Sequence, residues 1–186
     1  MAIDFSQVKT ITIPEGSVKK ITDSAGNILW KLAPSAEWHT IWEGSKTCRY
    51  RSSYSPEGAE SNFAQTAIGT GYSPKLRITF TCNASNGSGK LYYYNNDELL
   101  TSKPESPIII EQVDDSKNEV NLVGSRVNQN EGNGRTACVV VALYKRRDTE
   151  NNRINFGLAS YISKFYTETY ISANITLKVT KIEQYY

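Results

Sequence analysis

The stretch from Lys75 to Cys82 alternates without a break. Leu76, Ile78, Phe80 and Cys82 fall on one side, Arg77, Thr79 and Thr81 on the other. Successive side chains of extended backbone point to opposite faces, so a period of two marks a strand with one buried and one wet face. The same beat returns at Ile171, Ala173, Ile175, Leu177 and Val179. Parity then moves to Ile182, which predicts a bulge. Thr136 to Tyr144 is apolar on both parities, as in a central strand covered on both sides. Further strands are expected at Trp38 to Trp42, ending at Gly44, and at Lys46 to Arg51 as its hairpin partner. Others are expected at Lys90 to Tyr94, Pro107 to Val113, Glu119 to Val123, and Arg153 to Ser163 with a break at Gly157. Ser52 to Gly71 reads as loop with at most a turn of helix near Phe63 to Ile68. Asn83 to Gly89 reads as a hairpin loop, and Asn128 to Gly134 and Lys145 to Arg153 as further loops. Many short strands, turn signals between them and no helical period predict an all-β chain. The expected fold is an antiparallel β-sandwich, jelly-roll-like, over residues 36–186.

The first 32 residues read as a separate three-stranded β module. Val8 to Ile13 is a strand turned by Pro14-Glu15-Gly16, Val18 to Ile21 is a second, and a turn at Asp23 to Asn27 leads into Ile28 to Trp30. So few residues cannot bury Ile11, Ile13, Val18, Ile21, Leu29 and Trp30 by themselves. Those side chains are expected to pack on a neighbour, either the following domain or other copies of the chain. Ala33 to Ala36 is a linker in which Pro34 stops strand continuation.

Composition narrows the function classes. Twelve Tyr stand against one Met, and a net charge of +2 lacks the strongly basic signature of a nucleic-acid binder. No nucleic-acid partner is expected. The opening residues carry no basic region followed by an apolar run. No apolar stretch approaches the roughly 20 residues of a membrane-spanning helix, so membrane insertion is not expected either. Asn83, Asn86 and Asn174 sit in glycosylation-type triplets but read as turn and strand chemistry. Cys48, Cys82 and Cys138 lie far apart, leaving open three buried thiols or one disulfide with a free thiol.

Catalytic patterns are largely missing. His39 is the single histidine and stands beside tryptophans with no nucleophile or carboxylate indicated. A zinc site needs clustered Cys and His, and Ser88-Gly89-Lys90 lacks both the first glycine and the following Ser or Thr of a phosphate loop. Asp114-Asp115, beside Glu111 and Glu119, reads as an acidic turn rather than a calcium loop. No carboxylate pair is singled out for glycoside hydrolysis. The expectation is a non-enzymatic protein without cofactor or metal. Aromatic residues are the better lead. With Leu91 and Tyr93 facing the core, Tyr92 and Tyr94 face outward and can present flat ring faces to sugars, although cross-strand pairing of tyrosines on a sheet surface is the plainer account of them. Lys145-Arg146-Arg147 reads as a solvated basic loop.

The run Ile-Pro-Glu-Gly at Ile13, then Val18-x-Lys-Ile21, then Gly26-Asn27 into Leu29-Trp30 resembles a module that opens many virion proteins of phages and prophages of Gram-positive gut bacteria. The likeness extends to Trp38, Trp42 and Gly44 and covers about a fifth of the chain. It implies a tail- or fibre-associated structural protein in the virion, made in the bacterial cytoplasm without a signal peptide. The N-terminal module would then serve assembly, and the partners would be other virion proteins and further copies of the chain, trimers being common in such proteins. The alternative is a carbohydrate-binding module recognising bacterial surface glycans through Tyr92 and Tyr94.

Overall fold

The structure is a computed structural model that describes residues 20–22, 28–31, 36–51, 57–67, 75–86, 89–113, 117–131, 135–151, 153–164 and 171–186. Every regular element among them is a strand. The chain divides into two compact units, Met1–Ala36 and Glu37–Tyr186. In the first, β1 (Lys20–Thr22) and β2 (Ile28–Lys31) form an antiparallel pair with Ile21 opposite Trp30. A register shift beside Ile21 makes Leu29 the extra residue. The strand expected at Val8 to Ile13, and with it Ile11, Ile13 and Val18, lies outside the described residues.

The second unit is an antiparallel β-sandwich. One sheet holds four strands in the order β3 (Trp38–Arg51), β12 (Ala173–Tyr185), β5 (Lys75–Asn86), β8 (Ile108–Ile110). The other holds six, β4 (Glu60–Ala67), β11 (Arg153–Lys164), β10 (Arg135–Asp148), β9 (Glu119–Glu131), β6 (Lys90–Asn95), β7 (Glu98–Leu100). The chain passes back and forth between the sheets through β8, stays in the larger one for the β9–β10–β11 meander, and returns as β12.

Alternation dictates the core. Leu76, Ile78, Phe80 and Cys82 from β5 and Ile175, Leu177 and Val179 from β12 meet Val139, Val141 and Leu143 from β10 and Ile154, Phe156 and Leu158 from β11, all buried. Each such aliphatic side chain stabilises the fold by about 1.5–3 kcal/mol relative to exposure. The parity change near Ile182 is a bulge, with Thr180 the extra residue between Val179 and Lys181 opposite β5. Ser125 reaches Cys82 across the core at 2.9 Å, and all three cysteines are free and buried.

Several boundaries differ from expectation. Trp38 to Arg51 is one strand, because Gly44 does not end it. A Cβ there would stand 2.8 Å from Cζ2 of Trp42, so the glycine makes room for the folded-back indole. A register shift at Ile41 also separates the two tryptophans. Trp42 packs on the core and on Phe63, whereas Trp38 lies outside with Tyr185 and Arg77. Glu60 to Ala67 is a strand rather than loop, held by pairing with β11 although its own residues are poor strand formers. Asn83 to Gly89 does not connect a hairpin, since β5 and β6 belong to different sheets. Arg153 to Lys164 runs unbroken through Gly157. Lys145, Arg146 and Arg147 are strand residues of β10, and Lys145 is fully buried.

Candidate functional site

The outer face of the six-stranded sheet follows from its register. Tyr92, Arg126, Val140 and Tyr161 stand opposite one another across β6, β9, β10 and β11. The next row is Tyr94, Gly124, Ala142 and Ala159, and beyond it Asn121 faces Tyr144, which faces Gly157. Large rings therefore alternate with glycine and alanine. The phenol end of Tyr144 lies on Gly157, where a Cβ would meet its Cζ at 2.5 Å. A Cβ on Gly124 would lie 2.1 Å from the Val141 carbonyl oxygen, so this position lets β9 and β10 approach closely.

Between Tyr144 and Tyr161 the small side chain of Ala159 leaves a trough of about 330 Å³, lined by Glu119, Val120, Asn121, Tyr144, Ala159 and Tyr161. Tyr161 is 45% exposed, the most open aromatic ring among the described residues of this face. Partial burial nevertheless raises its phenol pKa, and the Asp97 and Glu119 carboxylates push the same way. Asn121 is fixed by Asp97, whose Oδ1 accepts from its backbone N at 2.8 Å and from its Nδ2 at 3.2 Å. Asp97 sits at positive φ in the turn between β6 and β7, a conformation Asp tolerates better than most residues. Glu119 lies 3.9 Å from the Arg146 guanidinium, with both side chains largely exposed.

The tyrosines singled out from sequence fare differently. Leu91 and Tyr93 do pack toward the inter-sheet core. Tyr92 is half-buried and outward, but Lys90 Nζ stands over its ring at 5.1 Å. Tyr94 points away from that core yet is only 5% exposed, covering Cys138, Val140 and Ala142. Its expected open ring face is thus corrected. Burial pushes its phenol up to about 12, and this second small apolar cluster explains why β10 is apolar on both sides. Tyr144 and Tyr161 were missed because neither stands in an aromatic cluster in the sequence. Only the register that sets Tyr144 on Gly157 exposes the pattern.

On the opposite sheet, Arg77 lies over Trp38 at 4.5 Å and holds Glu183 with two 2.7 Å bonds. His39 stacks on Tyr186 at 4.0 Å and its Nε2 lies 3.1 Å from that residue's carbonyl oxygen, so its contacts are structural. Among the described residues no group of three or more His, Cys, Asp or Glu side chains is arranged to hold a metal ion, and no helix is long and apolar enough to cross a membrane. No protein-family model, curated protein or solved structure matches the chain.

Proposed function

We propose that the chain is a non-enzymatic structural protein of a phage or prophage particle, tail- or fibre-associated. Its N-terminal unit attaches it to neighbouring virion proteins and to further copies of itself, and its sandwich faces outward. The observation that carries this reading is the Ile13-Pro-Glu-Gly to Leu29-Trp30 pattern, which falls within a compact unit of its own, Met1–Ala36. A sheet built from strands as short as β1 and β2 gains little stability alone, which suits a part that is completed by a partner. Light scattering after size exclusion tests the idea on the full chain and on a chain starting at Ala36. A multimer that becomes monomeric on truncation is expected; equal monomeric masses would reject the assembly role.

A second reading, in which the sandwich recognises a glycan on the bacterial surface, draws support from the trough beside Tyr144 and Tyr161. It is compatible with the first, since an outward-facing virion domain can also touch the host. Binding of the full chain to purified wall polysaccharides tests it directly.

A further inference from the structure

Resting on the glycan-binding reading, we propose that the trough between Tyr144 and Tyr161 holds one pyranose ring of a neutral glycan. A pyranose offers a C–H face that is apolar and a rim of hydroxyls that is not. A matching site needs an aromatic wall, a floor low enough to let the ring settle, and planar polar groups at the edge. All three occur here. On β11, Gly157 and Tyr161 share a face four residues apart, about 13 Å at strand rise. Tyr144 stands on Gly157, so the two rings bracket a gap floored by Ala159. The gap of about 330 Å³ admits a sugar ring lying across the sheet.

The edge chemistry selects among glycans. The Asn121 amide, anchored by Asp97, and the Glu119 carboxylate provide the planar groups that hydroxyl pairs bind well. Glu119 is offset by Arg146, 3.9 Å away, and Asp97 by Lys117, whose Nζ lies 3.4 Å from its Oδ2. With each carboxylate matched by a cation the rim offers a phosphate-bearing polymer no uncompensated positive charge, so neutral sugars fit it better than polyanionic ones. Simple surface coverage accounts for Tyr94, whose ring is sealed, but not for Tyr161, whose ring stays open beside Ala159.

The test uses the full chain against immobilised glucan, galactan, rhamnan, N-acetylglucosamine oligosaccharides and teichoic acid, followed by calorimetry on any that bind. At least one neutral polymer should bind and teichoic acid should not. Tyr161→Ala should weaken that binding tenfold or more, Tyr161→Phe by less than threefold, and Tyr92→Ala not at all. Ala159→Trp, which fills the floor, should abolish it, with circular dichroism checking the fold of each variant. Binding unchanged in both Tyr161→Ala and Ala159→Trp would remove this site while leaving the glycan reading intact. Binding to teichoic acid alone would overturn the ligand class. Silence from every polymer would sink the site and the glycan reading together.

Discussion

Arg77 grips Glu183 through two parallel hydrogen bonds of 2.7 Å, from Nε to Oε2 and from Nη2 to Oε1, across the β5–β12 pair. Lys181 adds a contact of 2.9 Å to the same carboxylate, which is only 6% exposed. Such a fork needs a guanidinium, because a lysine ammonium cannot make both bonds in one plane.

Acid should therefore unfold the protein partly through this group. The Arg77 hydrogen bonds, with Lys181, hold the Glu183 carboxyl well below its usual 4.5, at about 2. A depressed carboxylate stabilises the fold fully above its unfolded value and loses that contribution as pH falls toward the folded one. Stability measured by urea titration should fall between pH 4.5 and 2, and Glu183→Gln should flatten that part of the profile while lowering stability at pH 7.

The three thiols should be silent in the native state. Burial pushes the Cys48 thiol up to about 11 and raises Cys82 and Cys138 as well. The thiolate is the reactive form, so a disulfide-exchange reagent at pH 8 should titrate none of the three in buffer and all of them in denaturant. Raised thiol values also predict stability lost as pH climbs from 9 toward 11.

Two glycines should differ in a defined order. Gly157→Ala collides with the Tyr144 ring, which can swing away, and should cost about 1–2 kcal/mol. Gly124→Ala collides with the backbone at Val141 and Ala142 and should cost more, about 3 kcal/mol or above. In a Tyr144→Ala background the Gly157→Ala cost should shrink, a coupling that a double-mutant cycle in urea reads directly.

Lys145 and Arg146 are neighbours with opposite fates. Lys145 is fully buried opposite Phe156 and Val120, whereas Arg146 is exposed. Lys145→Ala should lower stability by about 2–3 kcal/mol, since it takes a long side chain out of a fully packed interior. Arg146→Ala should stay within about 0.5 kcal/mol.

The sandwich was legible wherever one face is greasy and the other wet. Leu76 to Cys82 and Ile171 to Val179 declared both strand and face, and the slip at Ile182 declared its bulge. Pairing imposed from outside was not legible. Glu60, Ala64 and Gln65 carry no strand signal of their own, and pairing with β11 makes them part of a strand. Gly44 and Gly157 look like breaks in the sequence, but both are seats for a neighbouring ring. Lys145 sits in a basic triplet that reads as solvated, and only the inward parity it shares with Val139, Val141 and Leu143 betrays its burial. The trough was invisible for the same reason, because Tyr144 and Tyr161 become neighbours only through register.

The position of β12 has a consequence for biogenesis. This strand lies between β3 and β5, so until Ala173–Tyr185 has been synthesised β3 has no partner strand in the smaller sheet and β5 has only the short β8. The β9–β10–β11 meander can zip up as local hairpins while β3 and β5 wait with open edges, which is where a nascent copy is most vulnerable to sticking to its neighbours.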